Sequence, residues 1–307
     1  MSEDRLEEML ARYTGLVDEP GAFAAACRRG LPTMVRVNTL KTSVDRATEA
    51  LDEAGIGWQA RDWHSGLLAL DTDSPGTTWP YFLGWLHGQE EVSAVPPVVL
   101  DPDPGDRVWD ACAAPGSKTT QLAAIQGDAG RIVANDANLG RLSALRTNTE
   151  RLGVTSALVT HGDARNFSFD PLGFEAFDAA LVDVPCSGEG TVRKNPGALD
   201  AWKESAFDGL AGVQRAILRR AVGAVQPGGR VVYSTCTFAP EENEGVLDAV
   251  LRDGTCRIVD ENLPLISSPG IREWDGREYH PDVASAHRIW PQLNDTGGFF
   301  VATLEVT

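Results

Sequence analysis

Lysine is nearly missing from this 307-residue chain: it occurs only at Lys41, Lys118, Lys194 and Lys203. Basic residues number 27 against 44 acidic ones, for a formal net charge of −17. The shortage of cations excludes a globally basic clamp, so any polyanion has to be met locally. The acidic residues run the whole length without forming a tail. That spread fits adaptation to molar salt, where the Debye length falls to about 3 Å and carboxylate repulsion is screened. Cysteine is scarce as well: Cys27, Cys112, Cys186, Cys236 and Cys256 are odd in number and form no CxxC pair. A disulfide framework is excluded, and no metal is expected. No apolar run approaches the roughly 18 residues that span a bilayer, and the opening MSEDRLEEML has neither the basic nor the apolar part of a signal peptide. A cytoplasmic protein with no membrane partner is expected, and a monomer is the default.

What is present is enough apolar material, 42% of residues, for about two domains. Leu6, Met9, Leu10 and Tyr13 recur at helix spacing, and a second helical stretch runs through Phe23 to Cys27. MVRVNTL (34–40) then alternates like a strand, SVDRATEALDEAG reads as a helix closed by Gly55, and WQARDW and GLLALD read as short strands. Residues 1–88 are read as a small α+β domain. From residue 89 the rhythm is strand, glycine turn, helix, with DRVWDA, RIVAND, ALVTHGD, FDAALVDVP and GGRVVYSTC as apolar runs. Residues 89–307 are therefore expected to form an α/β, Rossmann-like, mostly parallel sheet with helices on both faces. Ligands on such sheets sit at the carboxyl ends of the strands.

The first of these strands runs into DACAAPGSKTT, whose Ala113, Ala114 and Gly116 let a ligand approach the backbone while the next helix aims its amides there. Neither a Walker loop nor a GxGxxG spacing is present. Asp136 ends the second strand, either against a ribose or as a helix cap; Asp163 ends the third, either near an adenine amino group or as a turn aspartate. DVPCSGEG (183–190) joins a carboxylate, a proline and a thiol, and the fifth strand ends at Cys236, before APEENEGVLDAVL. That last stretch reads as a helix with Pro240 at or near its first position. Cys27 and Cys256 read as small buried apolar residues; Cys186 and Cys236, at strand ends facing one crevice, read as reactive thiols.

DACAAPGSKTT, DVPCSGEGTVRKNP and YSTCTFAPEENE, in that order, resemble the S-adenosylmethionine loop, Pro-Cys motif and Thr-Cys motif of the Nop/Sun family of RNA cytosine-5 methyltransferases. RIWPQLNDTGGFFVATL extends the likeness to the C-terminus, and RVNTLK resembles the family's small RNA-facing, RRM-like domain. The resemblance implies a Rossmann-like methyltransferase domain, S-adenosylmethionine as cofactor and RNA as partner, transfer RNA before ribosomal RNA. It implies Cys236 as nucleophile, Cys186 as the residue assisting release, Asp183 at the cytosine edge and Lys118 orienting the reacting groups. For the cofactor it implies Cys112, Ala113, Ala114, Pro115, Gly116, Ser117 and Lys118 around the methionine end, Asp136 at the ribose and Asp163 at the adenine, helped by Arg141 and Asp183. Ser117 and Trp109 stand where relatives carry glycine and a smaller aliphatic. Candidate RNA contacts are Arg28, Arg29, Arg36 and Lys41, then Arg193 with Lys194; Arg215, Arg219 and Arg220 serve the same end or form a solvated helix face. The alternatives are the same chemistry on another nucleic acid, a non-catalytic RNA-binding assembly factor, and dinucleotide-dependent redox chemistry.

Overall fold

The structure, a computed structural model, describes residues 3–173 and 175–307. Two helices open it, α1 (Glu3–Tyr13) and α2 (Pro20–Cys27). The residues at helix spacing in α1, Leu6, Met9, Leu10 and Tyr13, are all buried. Their core is shared with Val192, Leu199, Trp202, Phe207, Phe238 and Trp290, from far along the chain.

A four-stranded sheet follows, built from β1 (Thr33–Val37), α3 (Val44–Glu53), β2 (Trp58–Arg61), β3 (His64–Leu70), α4 (Trp79–Phe82) and β4 (Leu86–Gly88). Its strands are antiparallel in the order β2-β3-β1-β4. Ser43 caps α3 by accepting from the Arg46 N–H, Asp45 favours the same helix end, and Ala47 and Leu51 pack on Val35, Leu68 and Leu86.

The remainder is an α/β unit. Its first half comprises α5 (Val95–Leu100), β5 (Arg107–Asp110), α6 (Ser117–Ile125), β6 (Arg131–Asp136), α7 (Leu139–Leu152) and β7 (Ala157–His161). Its second half has β8 (Phe177–Asp183), α8 (Phe207–Val222), β9 (Val225–Thr235), α9 (Glu244–Leu251) and β10 (Cys256–Val259). Short strands β11 (Ser268–Pro269), β12 (Glu273–Trp274), β13 (Arg277–Glu278) and β14 (His287–Ile289) lead through α10 (Pro291–Asn294) to β15 (Phe299–Val306). Strands β7-β6-β5-β8-β9 are parallel; β15 lies antiparallel beside β9 and carries β14 and β10 on its far edge.

Neighbouring residues of these strands feed different cores. Val108, Ile132, Leu181 and Val232 join one, while Trp109, Val133, Val182 and Tyr233 join the other. Both faces are covered, which is why the strands read as continuous apolar runs. Trp109 is accommodated by Phe167, Phe169 and Phe177, whose ring centroids lie 6.2, 5.0 and 6.2 Å away. The chain order reverses between β5 and β8, so the crevice opens at their carboxyl ends.

One expected boundary is corrected. Pro240 to Asn243 form a turn, and α9 begins at Glu244. The reason is that Glu242 and Asn243 turn inward: Asn243 accepts from Thr235 Oγ1 (2.6 Å) and donates to the Thr237 carbonyl (3.0 Å). Cys236 therefore does not sit at a helix N-terminus.

The two sheets meet through polar side chains. Arg36, fully buried, donates to Gln89 Oε1 (2.7 Å) and Thr120 Oγ1 (3.0 Å). His87 accepts from Arg151 at Nδ1 (2.9 Å), which leaves its Nε2–H for Ser117 Oγ (2.9 Å). Burial, reinforced by Arg36 and Arg151, pushes the His87 pKa down to about 3, so the ring is neutral.

A buried ion pair fixes the far edge: Arg288 donates through Nε to Glu244 Oε1 (2.7 Å) and through Nη2 to Oε2 (2.5 Å). Arg288→Met should leave the buried Glu244 carboxylate without its counter-ion, with only the Ile271 N–H still donating to it, and cost about 3–5 kcal/mol. Urea unfolding will show it as a lower midpoint at unchanged slope.

Candidate active site

The loop after β5 carries the first set of expected residues. Gly116 adopts φ 104° and caps α6; a Cβ there would lie 2.8 Å from Leu145 Cδ1, so this turn needs glycine. Ala114 donates its N–H to Asp136 Oδ2 (3.1 Å), Arg141 Nη2 donates to the Ala114 carbonyl, and Asn148 Nδ2 reaches the Pro115 carbonyl (2.9 Å). The loop is thus tied to β6 and α7 before any ligand arrives.

Asp136 also accepts from the Asn138 N–H (2.8 Å), but the cap of α7 is Asn138, whose Oδ1 takes the Gly140 N–H (2.9 Å). Asp163 accepts from the Arg165 N–H (3.0 Å) and Nε (2.9 Å), and that guanidinium holds its carboxyl below the usual range. Cys112, Asp136, Arg141 and Asp163 line one groove of about 650 Å³, with Leu139, Val213 and Ile217 as apolar walls. Burial pushes the Cys112 thiol well up, so it is an inert wall.

At the tips of β8 and β9 stand the reactive groups. Lys118 Nζ donates to Asp183 Oδ2 (2.7 Å) and Ser93 Oγ (3.0 Å), and Asp183 Oδ1 accepts from Ser234 Oγ (2.8 Å). Burial works against the Lys118 ammonium, but Asp183, with help from Cys236 and Asp110, outweighs it and raises the pKa. The cation lies 5.8 Å from the centre of the Phe299 ring. Cys186 Sγ and Cys236 Sγ are 3.3 Å apart. The bond to Cys236, then burial, holds the Cys186 thiol well above its ordinary range, and the two sulfurs share a hydrogen bond in which either can donate. The structure therefore brings Lys118, Asp183, Cys186 and Cys236 together and sets Cys112, Asp136, Arg141 and Asp163 around the adjoining groove. Ser93, Ser234, Glu189 and Glu242 were missed, because single serines and carboxylates in loops carry no spacing signal.

The expected basic RNA contacts are mostly spent inside the protein. Arg36 holds Gln89 and Thr120, and Arg193 is buried on the carbonyls of Arg29 (3.0 Å), Gly30 (3.0 Å) and Thr296 (2.8 Å). Arg28 pairs with Glu3 and Glu7, Lys41 is drawn onto the Leu83 and Arg151 carbonyls, Arg219 pairs with Asp253 and Arg220 holds the Phe167 carbonyl. A long cation beside an unpaired carbonyl or carboxylate is recruited there. Lys194 remains exposed, and Arg29 is exposed although paired with Asp295. Among the described residues no cluster has the makings of a metal site, and no helix is long and apolar enough to cross a membrane.

A parallel sheet closed by an antiparallel strand, a glycine loop after β5 and carboxylates at the next two strand tips form a Rossmann-like nucleotide-type site, the class of fold used by S-adenosylmethionine-dependent methyltransferases. Residues 97–305 match the family model described as 16S rRNA methyltransferase RsmB/F, and the chain belongs to that family of RNA cytosine-5 methyltransferases. It is 37% identical to a tRNA (cytosine(49)-C(5))-methyltransferase of Pyrococcus abyssi, across 97% of this chain and 95% of that protein. It is 39% identical to the ribosomal RNA small subunit methyltransferase F of Aeromonas salmonicida, across 92% of this chain but only 59% of that longer protein. A crystal structure of a methyltransferase homologue from Pyrococcus horikoshii superposes with a TM-score of 0.84 at 30% identity, covering 99% of both chains. The groove fits the cofactor's chemistry: acidic strand tips suit its hydroxyls and amino group and the apolar wall its purine, while of residues 112–118 Cys112 is the one that lines it.

Asp110, at the foot of the loop, is buried against Thr119 Oγ1 (2.6 Å), and burial pushes its pKa up to about 7. Folded protein then holds a proton that an unfolded chain gives up near pH 4, so stability falls as pH rises between about 4 and 7. Asp110→Asn should flatten thermal stability across that window. An unchanged slope counts against a protonated Asp110.

Proposed function

We propose that this chain methylates carbon 5 of a cytosine in RNA, transfer RNA before ribosomal RNA, with Cys236 attacking and Cys186 assisting release. The observation that carries this is the 3.3 Å sulfur contact beside the Lys118–Asp183 pair. Carbon 5 of cytosine is a weak nucleophile until a thiolate adds at carbon 6. The contact between the two sulfurs lets one thiol stabilise a thiolate on the other, and the Lys118 ammonium interacts with the Cys236 sulfur. Asp183, oriented by Lys118 and Ser234, faces the cytosine edge and stabilises positive charge at nitrogen 3. Bound S-adenosylmethionine supplies an electrophilic methyl group. Loss of the carbon-5 proton then lets the carbon–sulfur bond break and restores the ring double bond.

Cys186 is suited to that second step. Its sulfur lies 3.3 Å from that of Cys236, so once Cys236 is bonded to carbon 6 Cys186 stands beside the same ring. Cys186 then releases its proton to water and accepts the one from carbon 5.

We propose further that residues 112–118, Asp136, Arg141 and Asp163 hold the cofactor, and that the β1–β4 sheet is an RRM-like, RNA-facing unit. The strand order β2-β3-β1-β4 and the exposed rings of Trp79 and Phe82 beside it support the second reading. Transfer RNA is favoured because the tRNA-modifying relative is matched over nearly its full length.

Cys236→Ser should abolish covalent capture of 5-fluorocytosine RNA, whereas Cys186→Ser should leave capture intact and accumulate adduct on ordinary cytosine RNA. Denaturing gels read both, and the reverse pattern would move the nucleophile to Cys186. Bisulfite sequencing of RNA from a deletion strain should lose one protected cytosine in a tRNA; a loss in ribosomal RNA instead reassigns the substrate. The acidic surface also leads us to propose dependence on molar salt: dialysis to about 0.1 M should lower the melting temperature, and full stability there refutes it.

A further inference from the structure

Two carboxylates stand behind the sulfur pair, each on one cysteine's loop and each gripping the chain just beyond the other cysteine. Glu189, on the Cys186 loop, accepts from Thr237 Oγ1 (2.8 Å) and the Phe238 N–H (3.1 Å). Glu242, on the Cys236 loop, accepts from the Ser187 N–H (3.0 Å) and from Gln214 Nε2 (2.7 Å). The same Gln214 amide donates to the Pro185 carbonyl (2.9 Å), so Cys186 is held on both sides. Ser187 Oγ and Thr237 Oγ1, 2.6 Å apart, join the two grips. Tyr13 OH (2.9 Å) and Trp202 Nε1 (2.5 Å) complete the shell around Glu189.

Both carboxylates are fully buried. Taking them out of water is costly, and apolar side chains would hold two loops together with less penalty. What a carboxylate adds is direction, because several donors converge on two oxygen atoms and fix the peptides that carry them. The peptides fixed here are those that follow the two thiols.

We propose that Glu242 and Glu189 are positioning residues for opposite halves of the reaction: Glu242 places the release thiol of Cys186, and Glu189 places the attacking thiol of Cys236. The inference rests on the roles given to those cysteines above. Each half-reaction is thereby governed from the other thiol's loop, so the two thiols cannot drift apart independently.

The two losses have opposite signatures. Glu242→Ala should still capture 5-fluorocytosine RNA, while its adduct with ordinary cytosine RNA accumulates on the order of tenfold over the unaltered enzyme as turnover falls. Glu242→Gln keeps one oxygen for both donors, which converge on Oε2, and should clear the adduct faster than the alanine variant. Glu189→Gln faces a bound donor with its own N–H₂ and should slow capture of 5-fluorocytosine RNA on the order of tenfold, without accumulating adduct on cytosine RNA. Thermal melting and S-adenosylmethionine binding are measured on each variant. Where Glu242→Ala or Glu189→Gln fails to fold, Gln214→Leu and Tyr13→Phe replace them with the same expected signatures. If both glutamate variants show the same defect, or neither shows one, while Cys186→Ser and Cys236→Ser behave as described above, the division of labour is wrong and the cysteine roles stand. If the two serine variants themselves fail to give opposite results, the cysteine roles fall first.

Discussion

The sulfur contact depends on a backbone approach that no side chain would allow. Gly190 donates its N–H to the Cys236 carbonyl (2.9 Å) and accepts from the Gly298 N–H (2.9 Å). A Cβ on Gly190 would lie 2.1 Å from the Gly298 carbonyl oxygen. Three segments distant in sequence, one beyond β8, one beyond β9 and one entering β15, therefore cross at hydrogen-bond distance. The sheet order puts β8 beside β9, but it is this crossing that turns neighbouring strand tips into neighbouring thiols. Ser187, Thr237 and the two buried glutamates then fix the angle at which the loops meet.

The helix that follows the glycine loop and the smaller sheet are joined just as directly. Ser117, which begins α6, takes the His87 Nε2–H from β4, and Thr120 and Gln121 of the same helix meet Arg36 and Gln89. A polar interface of this kind gives little nonspecific adhesion but sets orientation, since each buried donor must find its acceptor. A neutral His87 suits the arrangement: with Arg151 donating to one ring nitrogen, the other has to donate to Ser117. Ser117 thus has a partner in the smaller sheet, and the loop that carries Lys118 is referenced to both sheets.

The α/β alternation was legible because buried parallel strands write themselves as unbroken apolar runs, and the strand-tip residues followed from where such runs stop. Lys118, Asp183, Cys186 and Cys236 could be singled out for that reason. The buried arginines could not. Arg36 and Arg193 look like surface cations in a linear chain, and only the tertiary path shows carbonyls and a glutamine waiting for them. Glu189 and Glu242 were invisible by the same logic, since their donors come from α1, α8 and the opposite loop. The start of α9 was misplaced because Pro240 is a good first helical residue in isolation, whereas Glu242 and Asn243 are pulled inward by the thiol loops.

That internal use of arginine bears on how an acidic protein meets RNA. Ordinary RNA enzymes draw affinity from phosphate contacts and the release of counterions, which requires free cations on the surface. Here most candidate cations are committed to carbonyls or carboxylates of the chain itself. What remains outside includes aromatic surface on and beside the small sheet; on the proposed RNA-facing reading of that sheet, stacking there would contribute about 1–3 kcal/mol per base. Stacking is nearly indifferent to ionic strength, whereas a phosphate clamp weakens steeply with it. A chain that has given up lysine therefore surrenders little in concentrated salt, because the interaction it forgoes is the one salt would have removed.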